Sequence, residues 1–216
     1  MPKIELIVYD FDGTLFDTRF DIARSVNLSL IELGLPEHLP ETIFGFIGGG
    51  VASLLERAVD GTGFKDLNRA VETFSKVYAE NLVIDTIPFP NCIETVGQLN
   101  SKKQAIHSNK PEQFVRKILK CFDFIQPFQT IVGGDTLESR KPDPEGLLHI
   151  LHQAEVSAKN ALMVGDSAID IETARRAGVR SCGVTYGIGG KGAVSNADHI
   201  INDLKKLPVI VYGGLN

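Results

Sequence analysis

The chain has 216 residues, of which 43% are hydrophobic and 23% are charged, a composition typical of one globular domain with a small insertion. Its 27 acidic and 22 basic residues give a formal net charge of −5, which argues against nucleic acid or an acidic membrane surface as a partner. No apolar stretch approaches the roughly 20 residues that a membrane span needs, so we expect no membrane protein.

Short apolar runs recur along the chain, each followed by a polar residue or a glycine. The first, residues 4–9, is apolar almost throughout, which is typical of a strand buried on both faces of a parallel sheet. Four later runs have the same character: 104–108, 130–132, 161–165 and 181–185. Because helical patterns follow most of these runs, we predict an α/β fold, a doubly wound parallel sheet with a Rossmann-like core.

The interval after the first strand has a different pattern. It contains amphipathic stretches near 20–33, 51–59 and 67–82 but no convincing strand. We therefore predict a small helical cap at 16–87, inserted into an α/β catalytic core formed by 1–15 and 88–216. A segment inserted at this point is placed to lie over the carboxyl edge of the sheet, where ligands of such folds bind.

Two carboxylates, Asp10 and Asp12, stand in the sequence DFDGT immediately after the first predicted strand. Alternate residues of an extended chain point to the same side, so both carboxylates are expected to face one site. A surface turn rich in aspartate and glycine has the same composition, so this motif needs support from other parts of the chain.

A second acidic pair, Asp166 and Asp170, follows the predicted strand at 161–165. The pair fits helix capping as well as a site, but it adds carboxylates to the same edge of the sheet. Two like charges 4 Å apart repel by about 4 kcal/mol at an effective dielectric constant near 20, so such a cluster calls for a cation. Oxygen ligands suit Mg²⁺, and the lack of a cysteine or histidine cluster argues against zinc.

Two further elements are suited to binding a phosphoryl group. Ser108 and Asn109 end a predicted strand just before a helix, where a hydroxyl group and backbone N–H groups attract phosphate oxygens. Lys141, in the sequence RKP, supplies a compact positive charge. Residues 187–192 match the G-x-G-x-x-G pattern, but no long helix follows them, so we predict a flexible loop rather than a dinucleotide site.

Taken in order, the sequences DFDGT, SN, RKP and GDSAID resemble the motifs of the haloacid dehalogenase superfamily of phosphohydrolases across nearly the whole chain. Longer stretches resemble its phosphoglycolate phosphatase branch, whose members carry a helical cap: 47–58, 108–111, 133–144 and 163–170. The dehalogenase branch itself lacks an acid at the position of Asp12, so this sequence departs from that branch and phosphoryl chemistry is favoured.

The resemblance implies a role for each matched residue. Asp10 would be the nucleophile that forms an aspartyl-phosphate, and Asp12 would be the general acid and base. Mg²⁺ would be held by the Asp10 carboxylate, the Asp12 backbone carbonyl and Asp166, while Asp170 would reach it through water or order the site.

The phosphoryl-binding residues implied by the resemblance are Ser108, Asn109 and Lys141. In the predicted cap, the glycine run Gly48, Gly49 and Gly50 would face the organic part of the substrate, since glycine permits close backbone approach and motion. A plain loop between helices would explain that run equally well.

We therefore expect a Mg²⁺-dependent hydrolase of a small phosphorylated metabolite, with phosphoglycolate as the leading substrate. A sugar-phosphate mutase or a pyrophosphatase on the same scaffold stays open. So does a receiver-type signalling module, which also uses aspartate, Mg²⁺, a hydroxyl group and lysine. Three scattered cysteines indicate reduced thiols, and a start unlike a signal peptide predicts a cytoplasmic protein, either monomer or homodimer.

Overall fold

The computed structural model describes residues 3–213, and within them six parallel strands form one sheet in the order β5-β4-β1-β6-β7-β8. Two further strands, β2 and β3, pair antiparallel outside this sheet. The strands are β1 (Leu6–Tyr9), β2 (Phe16–Asp17), β3 (Ile87–Pro88), β4 (Lys103–His107), β5 (Thr130–Val132), β6 (Ala161–Gly165), β7 (Arg180–Val184) and β8 (His199–Ile201). The predicted α/β fold is confirmed, including each of the five strands read from apolar runs.

Helices cover both faces of the sheet because successive residues of a buried strand point in opposite directions. In β1, Ile7 and Tyr9 join one apolar core, whereas Leu6 and Val8 join the other. The helices are α1 (Arg19–Glu32), α2 (Pro40–Phe44), α3 (Val51–Val59), α4 (Leu67–Glu80), α5 (Cys92–Gln98), α6 (Glu112–Cys121), α7 (Glu145–Ala154), α8 (Ala168–Ala177), α9 (Gly190–Ala193) and α10 (Leu207–Tyr212). The first core includes residues of α5, α6 and α10, and the second includes residues of α7 and α8.

Helices α1–α4, called the helical insertion below, lie between β2 and β3, in the segment where the sequence predicts a cap. Three of them match the amphipathic stretches, while the short α2 and the two-residue strands β2 and β3 were not predicted. The antiparallel pairing of β2 with β3 brings the two ends of the insertion together at the edge of the core.

Asp21 fixes the return segment of the helical insertion to α1. Its fully buried carboxylate accepts hydrogen bonds from the backbone N–H groups of Ile84 (3.0 Å), Asp85 (3.0 Å) and Thr86 (2.8 Å). Burial alone would raise the pKa of Asp21, but these hydrogen bonds outweigh it and lower the pKa. Arg24 pairs with the same carboxylate at 2.6 Å and also with Asp85.

The three cysteines carry free thiols, as predicted. Cys92 and Cys182 are buried, and burial raises the pKa of each thiol to about 12, so both are inert core residues. Across residues 3–213, no helix is both long enough and apolar enough to cross a bilayer.

Candidate active site

The carboxyl ends of three neighbouring strands deliver polar residues to one point. Strand β1 pairs with β4 on one side and with β6 on the other, in parallel register. Asp10, Ser108 and Asp166 each follow the last residue of one of these strands. The structure therefore brings together three predicted site residues that are far apart in the sequence, at the edge where open α/β sheets bind ligands.

A carboxylate cluster, formed by Asp10, Asp166 and Asp170, lies at this edge. One carboxylate oxygen from each residue can be chosen so that all three lie within 4.8 Å of one another, and all three side chains are buried. Lys141, on the loop after β5, places its Nζ atom 2.7 Å from Asp10 Oδ1 and 2.6 Å from Asp170 Oδ1. Four predicted site residues thus form one buried network of charges.

Asp166 is oriented by a residue that the sequence analysis assigned to a flexible loop. The backbone N–H of Gly189 donates to Asp166 Oδ2 at 2.9 Å. At Gly187, an added Cβ atom would lie 2.2 Å from the carbonyl oxygen of Gly13 and 2.4 Å from Asp166 Cβ. The start of the segment, at Gly187 and Gly189, is therefore packed against the site, and the one-turn helix α9 follows it, which corrects the loop prediction.

Asp170 makes two sets of contacts, one as part of the cap of α8 and one with Lys141. Its Oδ2 atom accepts hydrogen bonds from the backbone N–H and the hydroxyl group of Ser167, which completes a capping box at the start of α8. Its Oδ1 atom accepts from Lys141. Because both oxygens are already used, we expect Asp170 to hold Lys141 in place rather than to bind a metal directly.

Burial and mutual repulsion dominate the acidity of the carboxylate cluster. Burial, with the charge of Asp170 added, raises the pKa of Asp10 to about 8, although Lys141 opposes the shift. Burial and Asp170 likewise raise the pKa of Asp166 to about 7. Burial lowers the pKa of Lys141, but Asp10 and Asp170 outweigh it, so its pKa is raised and the ammonium group stays charged.

The donor set fits a divalent cation such as Mg²⁺. When ionised, three buried carboxylates beside one lysine leave two negative charges in excess, which are costly in a buried site. All of the donors are carboxylate oxygens, the ligand type that Mg²⁺ prefers. Because Asp170 is engaged by Lys141 and Ser167, the carboxylates of Asp10 and Asp166 are the ones suited to direct coordination.

Asp12 lies beside the cluster and is held by a residue that the sequence analysis did not identify. Its Oδ1 atom accepts from Thr18 Oγ1 at 2.6 Å and from Lys110 Nζ at 3.0 Å. Burial lowers the pKa of Lys110, but Asp12 and Tyr78 outweigh it, so its pKa is raised. A lysine after Ser-Asn reads as solvent-exposed, and its burial depends on the distant helix α4, so the one local signal was its place in the family-like stretch 108–111.

A cavity of about 50 Å³ lies between the core and the helical insertion. Its polar wall includes Asp10, Asp12 and Ser108, and the opposite wall is apolar: Ile22, Ile47, Val51, Leu54, Phe74 and Tyr78. Gly48 and Gly50 also line it, while Gly49 packs towards Ser53. At Gly50 the φ angle is +85° and an added Cβ atom would lie 3.1 Å from the Asn109 carbonyl oxygen, so this approach favours glycine.

The Asn109 side chain forms hydrogen bonds with backbone groups, which the sequence did not predict. Its amide nitrogen donates to the carbonyl oxygens of Gly48 (2.9 Å) and Lys141 (3.0 Å), and its oxygen accepts from the backbone N–H of Lys141 (2.9 Å). The amide therefore has no donor left for a phosphoryl group. Among the hydrogen bonds of residues 3–213, the Asn109 backbone N–H has no acceptor, so this group can still bind phosphate.

Comparisons with known proteins agree with this geometry. The family model of the haloacid dehalogenase-like hydrolases matches residues 7–184. The chain is 40% identical to a phosphoglycolate phosphatase of Aquifex aeolicus, in an alignment covering 85% of this chain and 86% of that protein. It is 36% identical to a phosphoglycolate phosphatase of Pseudomonas savastanoi pv. phaseolicola, with coverage of 96% and 79%.

A solved structure has nearly the same fold. The crystal structure of a predicted phosphoglycolate phosphatase from Haemophilus somnus superposes with a TM-score of 0.92 at 31% identity, covering 97% of this chain and 99% of that one. A putative phosphoglycolate phosphatase from Lactobacillus delbrueckii subsp. bulgaricus gives a TM-score of 0.88 at 26% identity. The resemblance read from the motifs is thus confirmed, and the chain belongs to the haloacid dehalogenase-like hydrolase family.

Proposed function

We propose that this protein is a Mg²⁺-dependent phosphatase that hydrolyses phosphoglycolate through an aspartyl-phosphate intermediate. The observation that carries the proposal is the buried Asp10 carboxylate, which lies 2.7 Å from Lys141 Nζ and lines the small cavity. The Aquifex and Pseudomonas relatives, which are phosphoglycolate phosphatases and match most of the chain, support the choice of substrate.

In the first step, an oxygen of Asp10 attacks phosphorus while the bond between phosphorus and the leaving oxygen breaks. Asp12 gives its proton to that oxygen, so the leaving group departs as an alcohol. The Lys141 ammonium group, the Ser108 hydroxyl group and the Asn109 backbone N–H would bind the phosphoryl oxygens. These donors stabilise the negative charge of the transferring group in a site shielded from bulk water.

In the second step, Asp12 accepts a proton from the water molecule that attacks phosphorus. The bond between phosphorus and Asp10 breaks, which releases inorganic phosphate and restores the Asp10 carboxylate. One carboxylate therefore serves as acid and then as base, as the two half-reactions require. Thr18 and Lys110 hold Asp12 beside the cavity for both steps.

Asp10, Asp166 and the backbone carbonyl of Asp12 are the groups that would hold Mg²⁺. When bound, the ion supplies positive charge that offsets the repulsion between the nucleophile and the phosphate dianion. Lys141 contributes to the same balance from the other side, and Asp170 keeps it there through a 2.6 Å contact.

The volume of about 50 Å³ supports a small leaving group. Apolar side chains of the helical insertion line one side of the cavity, which leaves little room for a sugar in this arrangement. The cavity therefore favours a two- or three-carbon phosphate ester over the sugar-phosphate substrate of a mutase.

The proposal is tested by measuring phosphate release from 2-phosphoglycolate, sugar phosphates and pyrophosphate in the presence of Mg²⁺. We expect sustained turnover, with the highest kcat/KM for 2-phosphoglycolate. Asp10→Asn removes the nucleophile, so kcat should fall by at least about 10³-fold while the circular-dichroism spectrum is unchanged.

Two results would contradict the proposal. Turnover by Asp10→Asn at a rate near that of the wild type would exclude Asp10 as the nucleophile. Stoichiometric labelling of the wild type without further phosphate release would instead indicate a receiver-type module. Asp123→Asn is a matched control, since Asp123 follows α6 outside the cavity lining, and its activity should equal that of the wild type.

A further inference from the structure

Lys110 is a buried cation at the edge of the cavity, and the two steps above use it only to hold Asp12 in place. Its side chain is only 4% exposed, and its Nζ atom lies 3.0 and 3.2 Å from the two carboxylate oxygens of Asp12. Among the described residues that line the cavity, it is the one with a positively charged side chain. An anionic ligand in this space would therefore be attracted to Lys110.

Tyr78, from helix α4 of the helical insertion, adds a second donor at the same place. Its phenolic oxygen is buried, and its hydroxyl group donates to no acceptor among residues 3–213, although Tyr78 lines the cavity. The Lys110 ammonium group lies 4.7 Å from the centre of the Tyr78 ring. A buried hydroxyl group without a partner is costly, so this oxygen is well suited to a ligand that accepts a hydrogen bond.

The Tyr78 ring is fixed by two aromatic neighbours. It stacks on Phe74 of the same helix at 5.3 Å and meets Phe114 of α6 edge to face at 5.1 Å. Burial raises the pKa of Tyr78 to about 12, so the hydroxyl group stays protonated and can donate. A rigid donor next to a rigid cation is a preorganised site for a carboxylate.

The position of Lys110 relative to Asp12 determines which part of a substrate it meets. In the proposed reaction, Asp12 protonates the oxygen that leaves phosphorus. In phosphoglycolate, a single CH₂ group separates that oxygen from the carboxylate carbon. A cation in direct contact with Asp12 is therefore within reach of the carboxylate of the leaving group, whereas Lys141 contacts Asp10 on the phosphoryl side.

We propose that Lys110 and Tyr78 bind the carboxylate of the leaving group and so select phosphate esters of short 2-hydroxy acids. This inference rests on the proposed function. The remaining walls near Tyr78 are apolar, so a carboxylate that entered without this cation would lose its hydration without compensation. Neutral esters gain nothing from the ammonium group, and this difference is the basis of the selection.

A purely structural role for Lys110 makes a different prediction. If Lys110 only oriented Asp12, its loss would slow the hydrolysis of every phosphate ester by the same factor. If Lys110 binds the carboxylate, its loss slows mainly the hydrolysis of esters that carry a carboxylate. The ratio of kcat/KM values for a charged and a neutral ester separates the two roles.

The experiment compares 2-phosphoglycolate with 2-hydroxyethyl phosphate, which replaces the carboxylate by a neutral hydroxymethyl group. We expect the wild type to prefer 2-phosphoglycolate, and Lys110→Met to reduce the ratio of kcat/KM values by at least about 30-fold, as expected for loss of a buried charge partner. Lys120→Met, at an exposed lysine of helix α6, which begins two residues after Lys110, should leave the ratio unchanged.

Tyr78→Phe keeps the ring and removes only the hydroxyl group, so it tests the same site if Lys110→Met does not fold. We expect it to reduce the ratio by about 3- to 10-fold, the effect of one neutral hydrogen bond. Equal losses for both esters in both variants would overturn this inference, and so would a wild-type ratio near one, although phosphatase activity would then stand. A wild type that hydrolyses neither ester would overturn the proposed function itself.

Discussion

Lys141 is the residue on which the charge balance of the site depends. Its ammonium group lies between Asp10 and Asp170, at 2.7 and 2.6 Å, and its side chain is almost completely buried. A buried lysine with two ionic partners is fixed in both position and charge. It can therefore bind a phosphoryl group without first gaining a proton or changing its rotamer.

Asp170→Asn tests how far this arrangement depends on the residue that holds the lysine. The substitution keeps the shape of the side chain but removes the charge that faces Lys141 Nζ and weakens the capping box of α8. We expect kcat/KM to fall by about 10- to 100-fold, a loss of the size usual when a residue that orients a group of the active site is altered. Inorganic phosphate, as a competitive inhibitor, should bind more weakly because Lys141 is displaced.

Glu172→Gln is the matched control on the same helix. Glu172 forms ion pairs with Arg175 and Arg176 at the surface, where solvent screening leaves such pairs little effect on stability. Its activity and phosphate affinity should equal those of the wild type. If Asp170→Asn behaved in the same way, Asp170 would be a helix cap and no more.

The sequence predicted the residues at strand ends better than those positioned by distant contacts. Asp10, Asp166 and Lys141 stand in motifs, and parallel strands place their carboxyl ends at one edge, so their convergence followed from the strand pattern. The burial of Lys110 and Tyr78 depends on packing between α4 and the core, which no local pattern records.

At the level of elements, the structure corrects the prediction of a flexible loop at 187–192. The sequence has the glycines of a dinucleotide motif without the following long helix, and the structure contains only the four-residue α9 there. The glycines serve a different purpose, because the segment lies directly against Asp166 and donates a backbone N–H to it. Sequence spacing alone does not distinguish a loose glycine loop from a tightly packed one.

Gly187→Ala should therefore disturb the site from outside the motifs. The new methyl group would lie 2.2 Å from the backbone carbonyl oxygen of Gly13, so the segment or the Asp166 side chain must move. We expect a loss of about 1–3 kcal/mol in the free energy of unfolding, measured by urea denaturation, together with weaker Mg²⁺ binding.

Gly192→Ala provides the comparison within the same segment. No atom lies within 4 Å of the Cβ atom that would be added there, and the residue is part of α9. Alanine in a helix is at least as stable as glycine, so stability and Mg²⁺ affinity should be unchanged. Equal effects of the two substitutions would show that close packing at Gly187 is not the cause.

Short elements were the ones that sequence patterns missed. Helix α2 has five residues, and β2 and β3 have two each, too few to show a hydrophobic period, whereas the three-residue β5 was predicted from its apolar run. The longer α3 and α4 were predicted because their apolar residues recur at helical spacing over two or more turns. Pairing with neighbours, rather than local sequence, defines elements as short as β2 and β3.

In the molecule as a whole, the order of the strands in the sheet brings together residues that are far apart in the sequence. Strand β6 lies next to β1 although most of the chain separates them, and the loop after β5 carries Lys141 back to Asp10. The two apolar cores on either side keep this edge rigid. The cost is electrostatic, because three buried carboxylates are brought together in one place.

The repulsion among the three buried carboxylates predicts how the stability of the metal-free protein depends on pH. The pKa values of Asp10 and Asp166 are raised to about 8 and about 7, far above the ordinary aspartate value of 3.8. Between pH 6.5 and 8 the folded state therefore binds more protons than the unfolded state, so the free energy of unfolding falls as pH rises. Burial lowers the pKa of His107, which opposes this trend near pH 6.5, where the histidine of the unfolded chain is about half protonated, and the two carboxylates outweigh it.

Calorimetry between pH 6.5 and 8, with a chelator and then with excess Mg²⁺, measures this effect. Without metal, Tm should fall with pH by a few degrees, since about 1 kcal/mol shifts Tm by about 2–4 °C in a chain of this size. Mg²⁺ should raise Tm, and more at pH 8 than at pH 6.5, because it binds ionised carboxylates and relieves their repulsion. Asp166→Asn removes one of these charges, so both the pH slope and the Mg²⁺ effect should shrink. A Tm independent of pH and Mg²⁺ would mean that the carboxylate cluster is neither strained nor a metal site.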